Sequence, residues 1–326
     1  MNIDVVYVED AVFDHPRTRA ILARVRPRHV IGCSHWGEVF NRNGQNFRLQ
    51  KTRPALILAR KLGQRVLPIP PGYGCGAGGV YFSHMLNCLY DCRYCFLQGM
   101  LRSAHYVVFV NYEDFIDDLR SHCAAQSGPT WLFSGYDCDS LALDPLTAFV
   151  TDCVPALATI ENAWLELRTK STQVRALFAL ETQPRTVCAF SLSPAAVVAA
   201  YEHRTPALDA RLRAMTGLAA RGWPIGLRFD PVLPVADYRA IYGAFFAAVF
   251  AALATLSLHS VTFGVMRLPR DYRRRMTRLY PDEPLFASAA LDDTPSAHAL
   301  TQEIDAWCAA ELARYVPRER LFAQAV

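Results

Sequence analysis

Lysine is nearly absent from this chain. Of 34 basic residues among 326 only Lys51, Lys61 and Lys170 are lysine, so the positive charge is almost entirely arginine, whose planar fork suits phosphate and carboxylate. Nor does the N-terminal segment read as a secretory leader: the first ten residues are short, acidic and alternating, where a leader is basic and then apolar. The ten cysteines therefore do not read as a disulfide framework, and the expected compartment is a reducing one, the cytoplasm. There is no GxxxxGK[ST] and no strand-GxGxxG-helix context. Gly76, Gly78 and Gly79 consequently shape an approach rather than cradle a phosphate.

Order is expected, because 52% of the residues are hydrophobic and the length suits one α/β barrel or two modest domains. The run from 240 to 258 carries no charge and is long enough to span a bilayer. It is largely alanine, includes Gly243, Thr255 and Ser257, and sits between two strand-like runs. It reads as a buried barrel helix, and no membrane partner is expected. A net charge of +4 points only weakly to nucleic acid. The distribution is more informative: Arg267, Arg270, Arg273, Arg274, Arg275 and Arg278 crowd together around Tyr272, as either a solvated helix face or a phosphate-binding strip.

Hydrophobic periodicity divides the chain. Strands at 5–8, 29–31 and 55–59 with a helix at 17–25 make a small α/β lead-in over residues 1–79, punctuated by polar 41–50 and Pro- and Gly-rich 68–79. From Val80 strands alternate with helices. The strands are those ending at Ser83 and those at 130–133, 164–168, 186–191, 224–229 and 260–265. This rhythm predicts an α/β fold with a partial (β/α)6 barrel over 80–285 and a C-terminal helical segment over 286–326. Ligand sites in such folds lie at the carboxyl ends of the strands. The thiol loop, Ser134–Ser140, Thr169 and Lys170, Ser191 and Ser193, Asp230 and Arg267 all follow strands and would converge on that face.

Cys88, Cys92 and Cys95 form a CxxxCxxC run. Closed structural zinc and electron-transfer iron–sulfur sites take four protein ligands, so three thiolates on one loop leave a coordination position for chemistry. They suit three corners of a [4Fe–4S] cubane. A zinc knuckle remains the alternative, with His84 or Cys75 as the near candidates for a fourth ligand.

The segment Cys88-Leu-Tyr-Asp-Cys92-Arg-Tyr-Cys95-Phe-Leu-Gln98 resembles the cluster loop of the radical S-adenosylmethionine (SAM) superfamily, and in particular the spore photoproduct lyase family. Further landmarks are Val110–Asp114, Asp139–Thr147, Thr169-Lys170, Phe190–Ser193 and Arg228-Phe229-Asp230-Pro231. The resemblance implies a radical SAM barrel that cleaves a methylene-bridged thymine photoproduct in DNA through a 5′-deoxyadenosyl radical. It implies a [4Fe–4S] cluster on Cys88, Cys92 and Cys95, and SAM held by Lys170 and Ser191 with Ser140 and Ser193 nearby. It also implies a one-electron reductant such as flavodoxin or ferredoxin. Arg267, Arg270, Arg273 and Arg274 would grip phosphates around an extruded lesion, with Trp223 and Tyr272 as aromatics that fill the gap.

Two departures stand out. Where the resemblance places a hydrogen-donating cysteine after the second barrel strand, this chain has Tyr136, with Cys138 two residues on. Of the two tyrosines bracketing the third cluster cysteine only Tyr94 remains, opposite Phe96. Cys138, Tyr136 and Tyr94 are therefore the candidates for hydrogen return. The departures keep two other readings open: radical SAM chemistry on RNA or a peptide, and a non-catalytic iron–sulfur or zinc protein that binds nucleic acid.

Overall fold

The structure, a computed structural model, describes residues 3–75 and 78–324, so Gly76 lies outside the described residues. Six strands, Val80–Phe82, Thr130–Phe133, Ala163–Thr169, Thr186–Ser191, Ile225–Val232 and Leu258–Val265, lie side by side in chain order. Each pairs in parallel with the next. Helices Tyr112–Ala124, Phe149–Ala158, Arg175–Ala179, Ala195–Tyr201, Leu208–Ala219 and Tyr238–Ala252 fall in the crossovers, which gives the expected β/α alternation.

Side-chain alternation along these strands makes the two faces of the sheet different. Leu165, Leu167, Leu227, Phe229, Val261 and Phe263 join the large apolar core. The intervening Glu166, Arg168, Arg228, Asp230, Ser260 and Thr262 turn the other way and bond to one another inside the curve of the sheet. Strand Thr186–Ser191 is buried at every position, as a central parallel strand covered on both faces requires.

The uncharged stretch resolves into helix Tyr238–Ala252, a short loop and the start of the sixth strand. The helix buries Tyr242, Phe245, Phe246 and Val249, with the Phe246 ring 4.9 Å from Phe229 and stacked on Trp307. No helix among the described residues is long and apolar enough to cross a membrane.

The expected boundaries at 79 and 286 do not coincide with the sheets. Strand Val66–Pro68 leaves the lead-in to pair antiparallel with the first barrel strand. Met85–Leu86 and Tyr106–Phe109 lie past residue 80 yet complete the lead-in sheet, whose order is His29–Cys33, Val5–Glu9, Leu56–Ala59, Tyr106–Phe109, Met85–Leu86. At the other end, helix Pro295–Leu312 starts on a Thr294 cap, and Leu321–Ala323 adds a parallel strand beside the sixth. Local periodicity marks a strand but not its partner, and these exchanges are matters of pairing. The polar 41–50 stretch also ends in an unexpected helix, Phe47–Thr52, capped by Asn46.

Candidate active site

A cavity of about 440 Å³ opens where the six parallel strands end. Its walls include Cys88, Cys92 and Cys95, Tyr94, Tyr136, Cys138, Lys170, Ser191 and Arg267. Nine residues singled out in the sequence thus meet in one place.

The thiol loop is fixed by its backbone. Asn87, at φ 75°, accepts from the Cys88 N–H through its side chain at 2.9 Å. Lys51 is buried and donates to the carbonyls of Cys88 and Tyr90, both at 2.9 Å. Gln98 donates to the Cys92 carbonyl at 2.7 Å. Glu202 pairs backbone to backbone with Cys92 in a two-residue antiparallel bridge. The three sulfurs remain free thiols on the cavity wall. Among the described residues no three His, Cys, Asp or Glu side chains are close enough to share a single metal ion. A cubane needs no such convergence, because each thiolate binds a different iron. The donor set therefore fits a cluster and not a zinc knuckle.

Neither proposed fourth ligand reaches the loop. His84 is stacked on Phe149 at 3.8 Å, and burial holds its pKa down at about 3. Cys75 sits by Ser260 and Arg228 inside the barrel, away from the cavity lining.

Lys170 stands with its ammonium 5.6 Å over the Tyr94 ring. Burial opposes its charge, but the Glu202 carboxylate and the Cys92 sulfur outweigh burial and its pKa is raised. Its position is set by Asp139, which accepts from the N–H groups of Lys170 at 2.7 Å, Leu141 at 3.0 Å and Ala142 at 2.9 Å, and from the Thr169 hydroxyl at 2.6 Å. Asp139 therefore binds the loop after the second strand to the end of the third. Tyr94 donates its hydroxyl to Glu202, which also accepts from Ser193 at 2.8 Å and Arg211 at 2.5 Å.

Some sequence expectations are displaced. Ser193 is taken up by Glu202, and Ser140 bonds to the Ser134 hydroxyl at 2.8 Å; both are buried and neither lines the cavity. Arg270, Arg273 and Arg274 also lie off the cavity wall, paired with Asp293, Asp292 and Asp271. Their helix, Arg270–Leu279, turns them toward acidic neighbours at its own start and in the 292–293 loop. Trp223 is a core residue. Tyr272 does line the cavity, pressed so closely on Gly99 that a Cβ there would fall 2.5 Å from the tyrosine Cβ.

For hydrogen return, Cys138 is buried and its thiol donates to the Ser134 carbonyl at 3.4 Å. Tyr136 stands among rings, 4.6 Å from Tyr81, 5.4 Å from Tyr73 and 5.4 Å from Phe96. Sequence reasoning gave Asp139 no role of its own and missed Arg168, Tyr73 and Gln324 as wall residues. Arg168 was legible, with Glu166, as a charged residue on the inward parity of its strand. Tyr73 and Gln324 had no such signal, since both arrive from the edges of the sheet. Gln324 and the Gly74 backbone exchange two hydrogen bonds of 2.8 Å.

The profile described as "Spore photoproduct lyase" matches residues 81–288, which takes in the thiol loop and all but the start of the barrel. The chain belongs to the spore photoproduct lyase family. It is 25% identical over 203 residues to the spore photoproduct lyase of Bacillus subtilis (strain 168), covering 61% of this chain and 59% of that protein. It is 24% identical over 203 residues to that of Geobacillus sp. (strain Y412MC61), covering 61% and 60%. The matched region spans about three-fifths of these curated relatives. Among solved structures, spore photoproduct lyase complexed with dinucleoside spore photoproduct superposes with a TM-score of 0.84 at 17% identity, covering 99% of this chain and 98% of that one. A mutant of the lyase with bound AdoMet and dinucleoside spore photoproduct gives 0.83 at 17%, with the same coverage. At that identity the likeness establishes the fold, a curled half-barrel.

Proposed function

We propose that this chain is a radical SAM lyase that cleaves a thymine photoproduct in DNA. The observation that carries this is the meeting of three free thiols, with no fourth ligand among the described residues, and Lys170 at one cavity of a chain that belongs to the spore photoproduct lyase family. Solved structures of similar fold hold AdoMet and a dinucleoside spore photoproduct.

Cys88, Cys92 and Cys95 would hold a [4Fe–4S] cluster. The chemistry supplied by the bound groups is one-electron cleavage of SAM to a 5′-deoxyadenosyl radical, the electron coming from a reductant such as flavodoxin or ferredoxin. The protein positions and encloses that chemistry. Lys170 offers a point charge to the SAM carboxylate, with Ser191 beside it. Apolar Leu97, Met100, Val265 and Met266 complete a wall that keeps water from the radical. A hydrogen atom returns to the product from Tyr136 or Cys138, both of which face the cavity. Tyr94 is less suited, because its hydroxyl is committed to Glu202. Of the four arginines expected to grip phosphates, Arg267, ion-paired with Asp305, lines the cavity and would meet a phosphate next to the lesion. All ten cysteines are free, which suits a reducing cytoplasm.

The test is anaerobic reconstitution with iron and sulfide, then incubation with SAM, dithionite and a defined dinucleotide photoproduct. Formation of 5′-deoxyadenosine and release of thymine product are expected. Tightly bound zinc with no iron in anaerobically purified protein would overturn the reading.

A further inference from the structure

Below the thiols, the barrel interior carries charges that the radical chemistry does not use. Arg168 donates from Nε to Glu166 Oε1 at 2.9 Å and from Nη1 to Asp230 Oδ2 at 2.8 Å. Arg228 donates to Glu166 Oε2 at 2.7 Å and to the Ser260 hydroxyl at 3.2 Å. The Thr262 hydroxyl donates to Asp230 Oδ1 at 2.9 Å. Glu166 and Arg228 are fully buried and form the floor, whereas Arg168 and Asp230 line the cavity.

Three observations mark Arg168 and Asp230 as a reading pair. The Nη2 of Arg168 is buried with no hydrogen-bond partner among the described residues, a state that costs free energy unless something else satisfies it. Each carboxylate oxygen of Asp230 accepts one bond and has room for a second. The guanidinium lies 4.4 Å over the Tyr73 ring, and that ring stands 5.4 Å from Tyr136. The pair is thus one ring away from a candidate hydrogen donor.

Charge decides what the pair would take. Two guanidiniums and two carboxylates in one network sum to zero, so a phosphate or carboxylate placed here would meet Asp230 as well as Arg168. A neutral edge that presents both a carbonyl and an N–H meets no repulsion: the carbonyl accepts from Arg168 and the N–H donates to Asp230. The imide edge of thymine or uracil has that pattern. We propose that Arg168 and Asp230 hold the imide edge of the thymine photoproduct in the cavity. This rests on the photoproduct reading above.

The experiment is equilibrium competition binding to anaerobically purified protein with SAM present. The competitors are a dinucleoside thymine photoproduct, its N3-methylated analogue and inorganic phosphate. Wild type should bind the N3-methyl analogue at least tenfold more weakly, because methylation removes the N–H and leaves Asp230 facing a methyl group. Phosphate should not compete at millimolar concentration. Asp230→Asn, checked by thermal melting, should lose most of that discrimination. If it does not fold, the wild-type comparison still decides. Equal wild-type binding of the two nucleosides, or full discrimination in folded Asp230→Asn, would overturn the proposal. If the photoproduct is nonetheless bound and cleaved, the lyase reading stands without it; if no 5′-deoxyadenosine is formed, the lyase reading itself falls.

Discussion

At the scale of single residues, the site assigns its polar groups by who their neighbours are. Lys170 faces Tyr94 and the sulfurs and has no carboxylate close enough for an ion pair among the described residues, so its charge is available to a ligand. Lys170→Ala should raise the SAM dissociation constant at least tenfold, about 1.5–3 kcal/mol for a charge-assisted contact, as titration calorimetry would register. Unchanged affinity would remove it from the site. The two hydrogen-return candidates differ in setting: the Cys138 thiol is bonded to a carbonyl, while Tyr136 stands among tilted rings next to Phe96. Either variant, Cys138→Ala or Tyr136→Phe, should still form 5′-deoxyadenosine if it acts only in the return step. The true donor is the one whose loss lowers the yield of clean thymine product and diverts the substrate radical to adducts visible by mass spectrometry. Equal clean yields from both variants would point to an external donor. The three cysteines were readable in sequence because their spacing is local. Arg168 and Asp230 were harder to assign because their partners, Glu166 and Thr262, sit on the same strand or a distant one.

Among elements, the six barrel strands and their helices were legible from hydrophobic periodicity, because each strand's two faces carry different chemistry. What periodicity could not give is pairing. Tyr106–Phe109 reads as a barrel strand by position, yet its wholly buried residues pair with Leu56–Ala59 of the lead-in. Helix Tyr238–Ala252 shows the reverse, since its lack of charge suits a membrane while its rings pack on strand and helix neighbours. Phe246 is fully buried there, and truncating such a ring leaves a cavity. Phe246→Ala should cost about 3–5 kcal/mol of stability, measured by urea unfolding. A loss below about 1 kcal/mol would mean the helix is not packed as described.

For the molecule as a whole, stability and acidity are linked through the barrel floor. Burial alone would raise the Glu166 pKa, but Arg228 and Arg168 more than offset it and hold it at about 2, against 4.5 ordinarily. A carboxylate whose folded pKa is depressed contributes its full stability above the unfolded value and loses it as pH falls toward the folded one. The contribution of Glu166 should therefore be intact above about pH 4.5 and fade between there and about pH 2. Unfolding free energies followed across that range should fall less steeply in Glu166→Gln than in wild type, and parallel curves would exclude the linkage. That variant should also lose about 3–5 kcal/mol at neutral pH, because the two arginines are left buried with too little countercharge. The mutual amide grip of Gly74 and Gln324 joins positions 250 residues apart, and it carries a consequence for biosynthesis. Cys95 leaves the ribosome long before Gln324 is translated, on the order of ten to fifty seconds earlier at ordinary elongation rates. Throughout that interval the nascent chain displays three thiols on a half-walled cavity. A ribosome stalled short of the closing strand would hold those thiols open to oxidation.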